Sequence, residues 1–132
     1  MAQTIYPALR YRDAAAAIAW LKSALGFEEH IVYANDDGSI AHAELGLNGD
    51  LIMLGSVKGD DTFGKSPLDL GGVTGSTYIA LNSAADVDEH YSRAKKANAD
   101  IIRELNDTDY GSHEFGVRDQ EGHIWSFGTY QP

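Results

Sequence analysis

Cysteine is absent from the 132-residue chain. Disulfides, thiol catalysis and thiolate-bound metals are therefore excluded. Long apolar runs are also lacking, since the longest, Ala14 to Leu21, ends at Lys22. The N-terminus does not show the basic and then apolar pattern of a secretory signal. We therefore expect no contact with a membrane and a cytoplasmic location.

Basic residues are scarce: ten Lys and Arg stand against twenty Asp and Glu, and the formal net charge is −10. The only adjacent basic pair is Lys95-Lys96. Because nucleic-acid binding depends on clustered basic side chains, we expect no nucleic-acid partner. This charge favours a cationic or neutral small ligand, although many soluble proteins are simply acidic.

The chain contains an internal repeat. Tyr6–Arg10 resembles Tyr78–Asn82, 72 residues later, and Gly49–Gly55 resembles Gly122–Gly128, 73 residues later. Two matches in the same order indicate two copies of one structural unit. With a length suited to one domain, we predict a single domain, 1–132, composed of module 1 (about 1–56), a linker (about 57–75) and module 2 (about 76–132).

Each module combines one helix with several strands. Asp13 is a candidate N-cap and Gly26 a stop for a helix over Ala14–Leu25, and the second copy places a helix over Ala85–Ala97. Alternating patterns and turn residues predict the strands. The predicted strands are 4–12, 27–34, 39–47, 50–56, 76–82, 99–104, 113–118 and 123–130.

The predicted fold class is α+β, with two tandem βαβββ-type modules. Two such modules set edge to edge would form a curved mixed sheet, with the helices on its outer face and a cup-shaped cavity inside. The modules can pair within one chain or between two chains. A homodimer is the expected assembly, and the repeat does not decide between the two pairings.

The tail from Asp107 to Gly128 resembles the signature of the vicinal-oxygen-chelate superfamily, which includes glyoxalases, bleomycin-resistance proteins and extradiol dioxygenases. It contains an aromatic-Gly pair, a strand, an Asp-x-x-Gly turn and a last apolar strand. The opening Leu9–Asp13 and the later Leu25-Gly26-Phe27 match the same superfamily. The resemblance implies either metal-dependent catalysis or metal-free drug sequestration, since one fold hosts many functions.

Metal-dependent members place ligands on the first and last strand of each module. The resemblance and the repeat assign these positions to Tyr6, Met53, Tyr78 and Ser126. Phenol, thioether and hydroxyl groups are poor ligands for zinc, iron, manganese or nickel. The expected cofactor is therefore none, and no metal ligands are assigned.

A displaced site is the alternative. With Asn48-Gly49 as a two-residue turn, Glu44 lies opposite Met53, and His42 shares its sheet face. His42 and Glu44 are the candidate catalytic residues or metal ligands, and the third donor would be His113, Glu114 or Tyr110. A divalent metal is possible but disfavoured, because two donors do not make a site. The simpler interpretation is that they hydrogen-bond each other or line a polar pocket.

The predicted pocket is apolar and aromatic with few polar groups, as small-molecule sites are. Its ligand-binding residues are Tyr6, His42, Glu44, Met53, Tyr78, Tyr110, His113, Phe115 and Ser126, with Arg10 among the other lining residues. No convergent partners are visible for His30 and His90, and both are expected to lie in solvent.

Three hypotheses follow. The first is a metal-free protein of the drug-resistance type that binds an aromatic or cationic molecule. The second is an enzyme with His42 or Glu44 as general base and Tyr6 or Tyr78 polarising a carbonyl. The third is a metal-dependent lyase or dioxygenase that uses His42 and Glu44.

Overall fold

The computed structural model describes residues 3–132. Two βαβββ units follow one another in the chain, joined by a linker that contains one short helix. The elements are β1 (Ala8–Tyr11), α1 (Ala14–Leu25), β2 (Glu28–Ala34), β3 (Ile40–Leu47), β4 (Asp50–Ser56), α2 (Pro67–Leu70), β5 (Thr77–Ala80), α3 (Ala84–Lys96), β6 (Asp100–Asp107), β7 (His113–Arg118) and β8 (Ile124–Gly128).

The strands form two four-stranded mixed sheets with the same topology. The orders are β1-β4-β3-β2 in sheet 1 and β5-β8-β7-β6 in sheet 2. In each sheet the first strand pairs parallel with the last, and the other pairs are antiparallel. The predicted α+β class and the paired modules are thus confirmed.

One helix covers one face of each sheet. The Asp13 carboxylate caps α1 by accepting from the Ala16 amide, and Gly26 ends the helix at φ 83°. Its apolar side, which includes Leu21 and Leu25, is fully buried. Helices α1 and α3 also contact each other, so the two modules share one core. None of the helices among residues 3–132 is long and apolar enough to cross a membrane.

The register of the first strands corrects the repeat alignment. Ala8 lies beside Met53 in sheet 1, whereas Tyr78 lies beside Ser126 in sheet 2. Tyr78 is therefore the structural counterpart of Ala8, and the equivalence of Tyr6 with Tyr78 is wrong. Tyr6 precedes the strand because β1 begins at Ala8 rather than at residue 4.

A buried polar network joins module 2 to module 1. The Asp119 carboxylate accepts from the Tyr11 hydroxyl at 2.6 Å, from the Trp125 indole at 3.1 Å and from three backbone amides. Glu121 accepts from the backbone amides of Arg12 and Asp13, where α1 begins. Since these carboxylates are almost fully buried, the network holds the turn of module 2 against the start of α1.

Candidate functional site

The face of sheet 1 opposite α1 carries the predicted His42 and Glu44. The Asn48-Gly49 turn sets the register, and Glu44 lies opposite Met53 as predicted. Imidazole Nε2 of His42 lies 2.8 Å from the Glu44 carboxylate. No helix covers this face within residues 3–132. We call it open face 1.

Two further side chains on β2 extend this pair. Nε2 of His30 lies 3.9 Å from the Glu44 carboxylate, and Tyr33 stacks on His42 with 6.4 Å between ring centroids. His30 thus lies near an acidic group that was not expected, although its side chain is 57% exposed, as a histidine in solvent would be. The β-bulge between Glu29 and Ile31 brings its side chain toward Glu44.

The corresponding face of sheet 2, open face 2, carries a buried carboxylate. Glu114 is only 5% exposed and accepts from Arg103 Nη1 at 3.0 Å and from the Tyr110 hydroxyl at 3.1 Å. Gly128 lies opposite Glu114 and leaves room for the Tyr78 hydroxyl, because a Cβ on Gly128 would lie 2.7 Å from that hydroxyl. Tyr78 and Tyr110, both predicted ligand-binding residues, therefore lie around Glu114. The sequence suggested Glu114 only as one of three possible third metal ligands.

Arg103 is the residue that sequence reasoning missed on this face. Its second terminal nitrogen lies 3.3 Å from the Ser126 hydroxyl, in addition to its ion pair with Glu114. Burial raises the pKa of Tyr78, and burial together with Glu114 raises the pKa of Tyr110. Both phenols are therefore protonated donors at neutral pH.

Two predicted ligand-binding residues do not belong to open face 2. Phe115 is fully buried beneath α3, stacked on Phe127 with ring centroids 5.0 Å apart. The two phenylalanines are directly opposed in the sheet and must share a face. The placement of Phe115 in the cup is therefore wrong.

His113 likewise points toward α3. Its Nδ1 lies 2.7 Å from Asp107 and its Nε2 lies 2.7 Å from Asp88. These hydrogen bonds, with Asp88 the larger cause, raise the pKa of His113. The side chain ties α3 to β6 and is not a donor for the His42–Glu44 pair.

His90 also departs from its expectation. It stacks on Phe127 with 5.1 Å between ring centroids. Burial lowers the pKa of His90, because a desolvated imidazole is more stable when neutral. This histidine contributes to the packing of α3 rather than lying in solvent.

Arg10 completes open face 1. Its guanidinium lies across Gly55, where a Cβ would come within 2.7 Å of Nη1, and Nη1 donates to the Ser56 carbonyl at 3.1 Å. The Phe63 ring lies 5.4 Å from the guanidinium carbon, and Nζ of Lys58 is 5.7 Å from the same ring. Arg10 lies two residues along β1 from Ala8, the residue paired with Met53, and so faces the same side of sheet 1.

A crevice of about 900 Å³ separates the edges of the two modules. Tyr6 and Tyr78 both line it, together with linker residues, so the structure does bring these two phenols to one cavity. Of the other predicted site residues, His42, Glu44 and Met53 lie on open face 1, and Tyr110 and Ser126 on open face 2.

The superfamily's metal positions do not fit a metal here. Met53 offers a thioether, Ser126 a hydroxyl bonded to Arg103, and Tyr78 a phenol with a raised pKa. None of these is a good donor to a divalent ion. Throughout the described part of the chain, no three His, Asp or Glu side chains are arranged to hold a metal ion.

Comparisons with known proteins agree with this architecture. A model of the Glyoxalase/Bleomycin resistance protein/Dioxygenase superfamily matches residues 4–127. An uncharacterised protein of Mycobacterium bovis is 34% identical over 124 residues, 92% of this chain and 80% of that protein.

Solved structures show the same similarity. TioX from Micromonospora sp. ML1 is 30% identical, with a TM-score of 0.78 over 98% of this chain and 100% of that one. The fosfomycin resistance protein FosX of Listeria monocytogenes is 14% identical, with a TM-score of 0.70 over 99% of this chain and 95% of that chain. The FosX similarity concerns the fold alone.

Proposed function

Since the chain belongs to the Glyoxalase/Bleomycin resistance protein/Dioxygenase superfamily, we propose that it is a metal-free small-molecule-binding protein. Its ligand is an aromatic or cationic molecule held in the cup between open faces 1 and 2. The observation that carries the proposal is the chemistry of the superfamily's metal positions, where Met53, Ser126 and Tyr78 replace imidazole and carboxylate ligands.

Aromatic and acidic groups on the open faces support this ligand class. Tyr33, Tyr78 and Tyr110 offer ring faces, and Met53 offers an adaptable apolar contact. The carboxylate of Glu44 favours a positive group. Resistance proteins occur among the structural neighbours, as the name of FosX states; because FosX is described in complex with Mn(II), it supports the link to resistance and not the absence of a metal.

A second copy of the chain completes the cup in this proposal. Contacts between α1 and α3 and the Asp119 network hold the two modules of one chain by their helix-covered sides. Within residues 3–132, β1 and β5 each have a strand on one side only. Open face 1 of one chain therefore meets open face 2 of its partner, in a symmetric homodimer that acts in the cytoplasm.

Catalysis is the second candidate, and the His42–Glu44 contact of 2.8 Å is the observation that favours it. A carboxylate beside an imidazole is a reasonable general base. The simplest assay is deuterium exchange at the α-carbons of hydroxyacetone in D₂O, followed by proton NMR. Exchange that depends on Glu44, and stops in Glu44→Gln, would replace the binding proposal with an enzymatic one.

The methionine content provides a direct test of binding. The chain has two methionines, so the methyl resonance of Met53 is readily distinguished and reports on open face 1. We expect 2-naphthamide or 2-naphthylmethylamine to shift the Met53 signal, because either probe would contact it in the cup.

Prior dialysis against EDTA should leave this shift unchanged, and elemental analysis of protein purified without chelator should find no stoichiometric metal. Loss of binding after EDTA, restored by zinc, iron, manganese or nickel, would overturn the metal-free assignment.

A further inference from the structure

Arg10 is a half-buried arginine without an acidic partner in a strongly acidic chain. Acidic residues outnumber basic ones two to one, and Arg12, Arg103 and Arg118 each pair with a carboxylate. Within residues 3–132, by contrast, no carboxylate oxygen lies within 4.0 Å of Arg10 or Lys58. Arg10 is therefore without a compensating carboxylate at one end of open face 1, a condition it shares, among the residues described, with the exposed Arg93 of α3. Lys58 differs in that the charge of Asp60 lies nearby.

The fold holds the Arg10 guanidinium in place without using most of its donors. A guanidinium has five N–H donors, and the described chain uses one of them, in the bond to the Ser56 carbonyl. Gly55 leaves room for the guanidinium, since a Cβ at that position would lie 2.7 Å from Nη1 and the arginine would have to move. The remaining donors are available to a planar acceptor.

The neighbouring Phe63 and Lys58 suit an aromatic acid. Phe63 is 62% exposed and presents its ring to both cations. A bound aromatic ring can pack beside it, while Lys58 adds a second positive charge. Arginine is suited to carboxylate and phosphate groups because its fork matches two acceptor oxygens.

Arg103 on open face 2 shows what a structural arginine looks like in this fold. Its guanidinium bonds both the Glu114 carboxylate and the Ser126 hydroxyl, so its charge is compensated. Arg10 has neither kind of partner. Its contacts with the Ser56 carbonyl and the Phe63 ring leave most of its donors unused within residues 3–132.

We propose that Arg10, assisted by Lys58, binds the oxyanion of the ligand, and that the ligand is an aromatic acid. This inference rests on the proposed function, because it concerns the same cup. The proposed ligand class is thereby restricted from aromatic or cationic molecules to aromatic molecules that carry a carboxylate, phosphate or sulfonate group. Any positive group on the same molecule would lie toward Glu44.

The test compares three probes with one ring system: 2-naphthoate, neutral 2-naphthamide and cationic 2-naphthylmethylamine. Dissociation constants come from the Met53 methyl shift at pH 7.5. We expect 2-naphthoate to bind about tenfold more tightly than 2-naphthamide, as charge-assisted hydrogen bonds contribute. In Arg10→Met the preference for 2-naphthoate over 2-naphthamide should be lost, so that the two probes bind alike.

Arg93→Met is the matched control, because it removes one positive charge from the exposed side of α3. It should keep the preference for 2-naphthoate, and Lys58→Met should reduce it about twofold to threefold. Thermal melting of each variant checks the fold. Phenyl phosphate and benzenesulfonate then identify which oxyanion is preferred.

The outcomes separate the two proposals. If 2-naphthamide binds as tightly as 2-naphthoate, or if Arg10→Met still prefers 2-naphthoate, the oxyanion site is contradicted. The proposed cup is unaffected by either result. Tightest binding of the amine also removes the oxyanion site and supports a cationic ligand. If none of the probes shifts Met53, both the cup and the oxyanion site are contradicted.

Discussion

The two modules share one topology but differ on the faces that no helix covers. On open face 2, Arg103, Glu114 and Tyr110 satisfy one another in a buried network. Open face 1 instead has a more exposed His42–Glu44 pair and an arginine, Arg10, that bonds only a backbone carbonyl. The helix-covered faces remain apolar in both modules. The two modules thus share an apolar core. Their open faces differ, because the polar groups of open face 2 pair with one another and some of those on open face 1 do not.

The two modules also differ in the turn that joins their last two strands. Module 1 joins β3 to β4 through Asn48 and Gly49, both at positive φ, whereas module 2 has a five-residue turn, 119–123, between β7 and β8. The longer turn carries Asp119 and Glu121, which reach the start of α1. Module 2 is therefore the one that fixes the relative position of the modules.

The largest expected effect comes from Asp119→Ala. It leaves the buried Tyr11 hydroxyl and Trp125 indole without acceptors, so we expect the free energy of unfolding to fall by about 3–5 kcal/mol. Urea denaturation followed by tryptophan fluorescence measures it. Asn48→Ala, in the corresponding turn of module 1, should cost only about 1 kcal/mol, mainly from the positive φ. Equal losses would mean that the turns are equivalent.

Glu114→Gln should have the next largest effect. The substitution removes the charge that compensates Arg103 inside open face 2, and we expect a loss of about 1–3 kcal/mol in the free energy of unfolding. Glu44→Gln is the matched change on open face 1, and because Glu44 is more exposed, it should cost less than about 1 kcal/mol. A larger loss for Glu44→Gln would reverse the distinction between the two faces.

The smallest effect concerns His113, which has no counterpart of this kind in module 1. Asp88 and Asp107 raise the pKa of His113 in the folded state, so its stabilising contribution is complete below the unfolded pKa of about 6.5. The contribution is lost as pH rises through the folded pKa. His113→Asn should therefore destabilise the protein at pH 5.5, by less than about 1 kcal/mol, and hardly at pH 9. Urea titrations at both pH values test this, and a larger loss at pH 9 would show the sign to be wrong.

The fold was predictable because glycine turns and apolar periodicity repeat along the chain. On open face 1 the Asn48-Gly49 turn also fixes the register, so the positions of His42 and Glu44 followed from counting residues. Counting failed for Phe115, because the turn between β7 and β8 has five residues and β8 begins at Ile124 rather than at residue 123, which places Phe115 opposite Phe127 in the core instead of opposite Ser126.

His30 and Arg103 were missed for a physical reason. Each lies at an irregularity, between Glu29 and Ile31 in β2 or beside a register shift in β6. A bulge interrupts the alternation of side chains, and the face that a residue occupies can then no longer be counted from its neighbours. Tyr6 was misaligned because β1 and β5 are offset differently from the later strands.

The most direct test of a cup shared between two copies is complementation between two blocked variants. Met53→Trp should fill open face 1 and Ser126→Trp open face 2, so each variant alone should not bind 2-naphthoate. In an equimolar mixture that has exchanged subunits, each mixed dimer has one site with both blocks and one site with none. About a quarter of the wild-type binding capacity should then return. If the mixture recovers no binding, although mass spectrometry shows that mixed dimers have formed, the shared cup is contradicted.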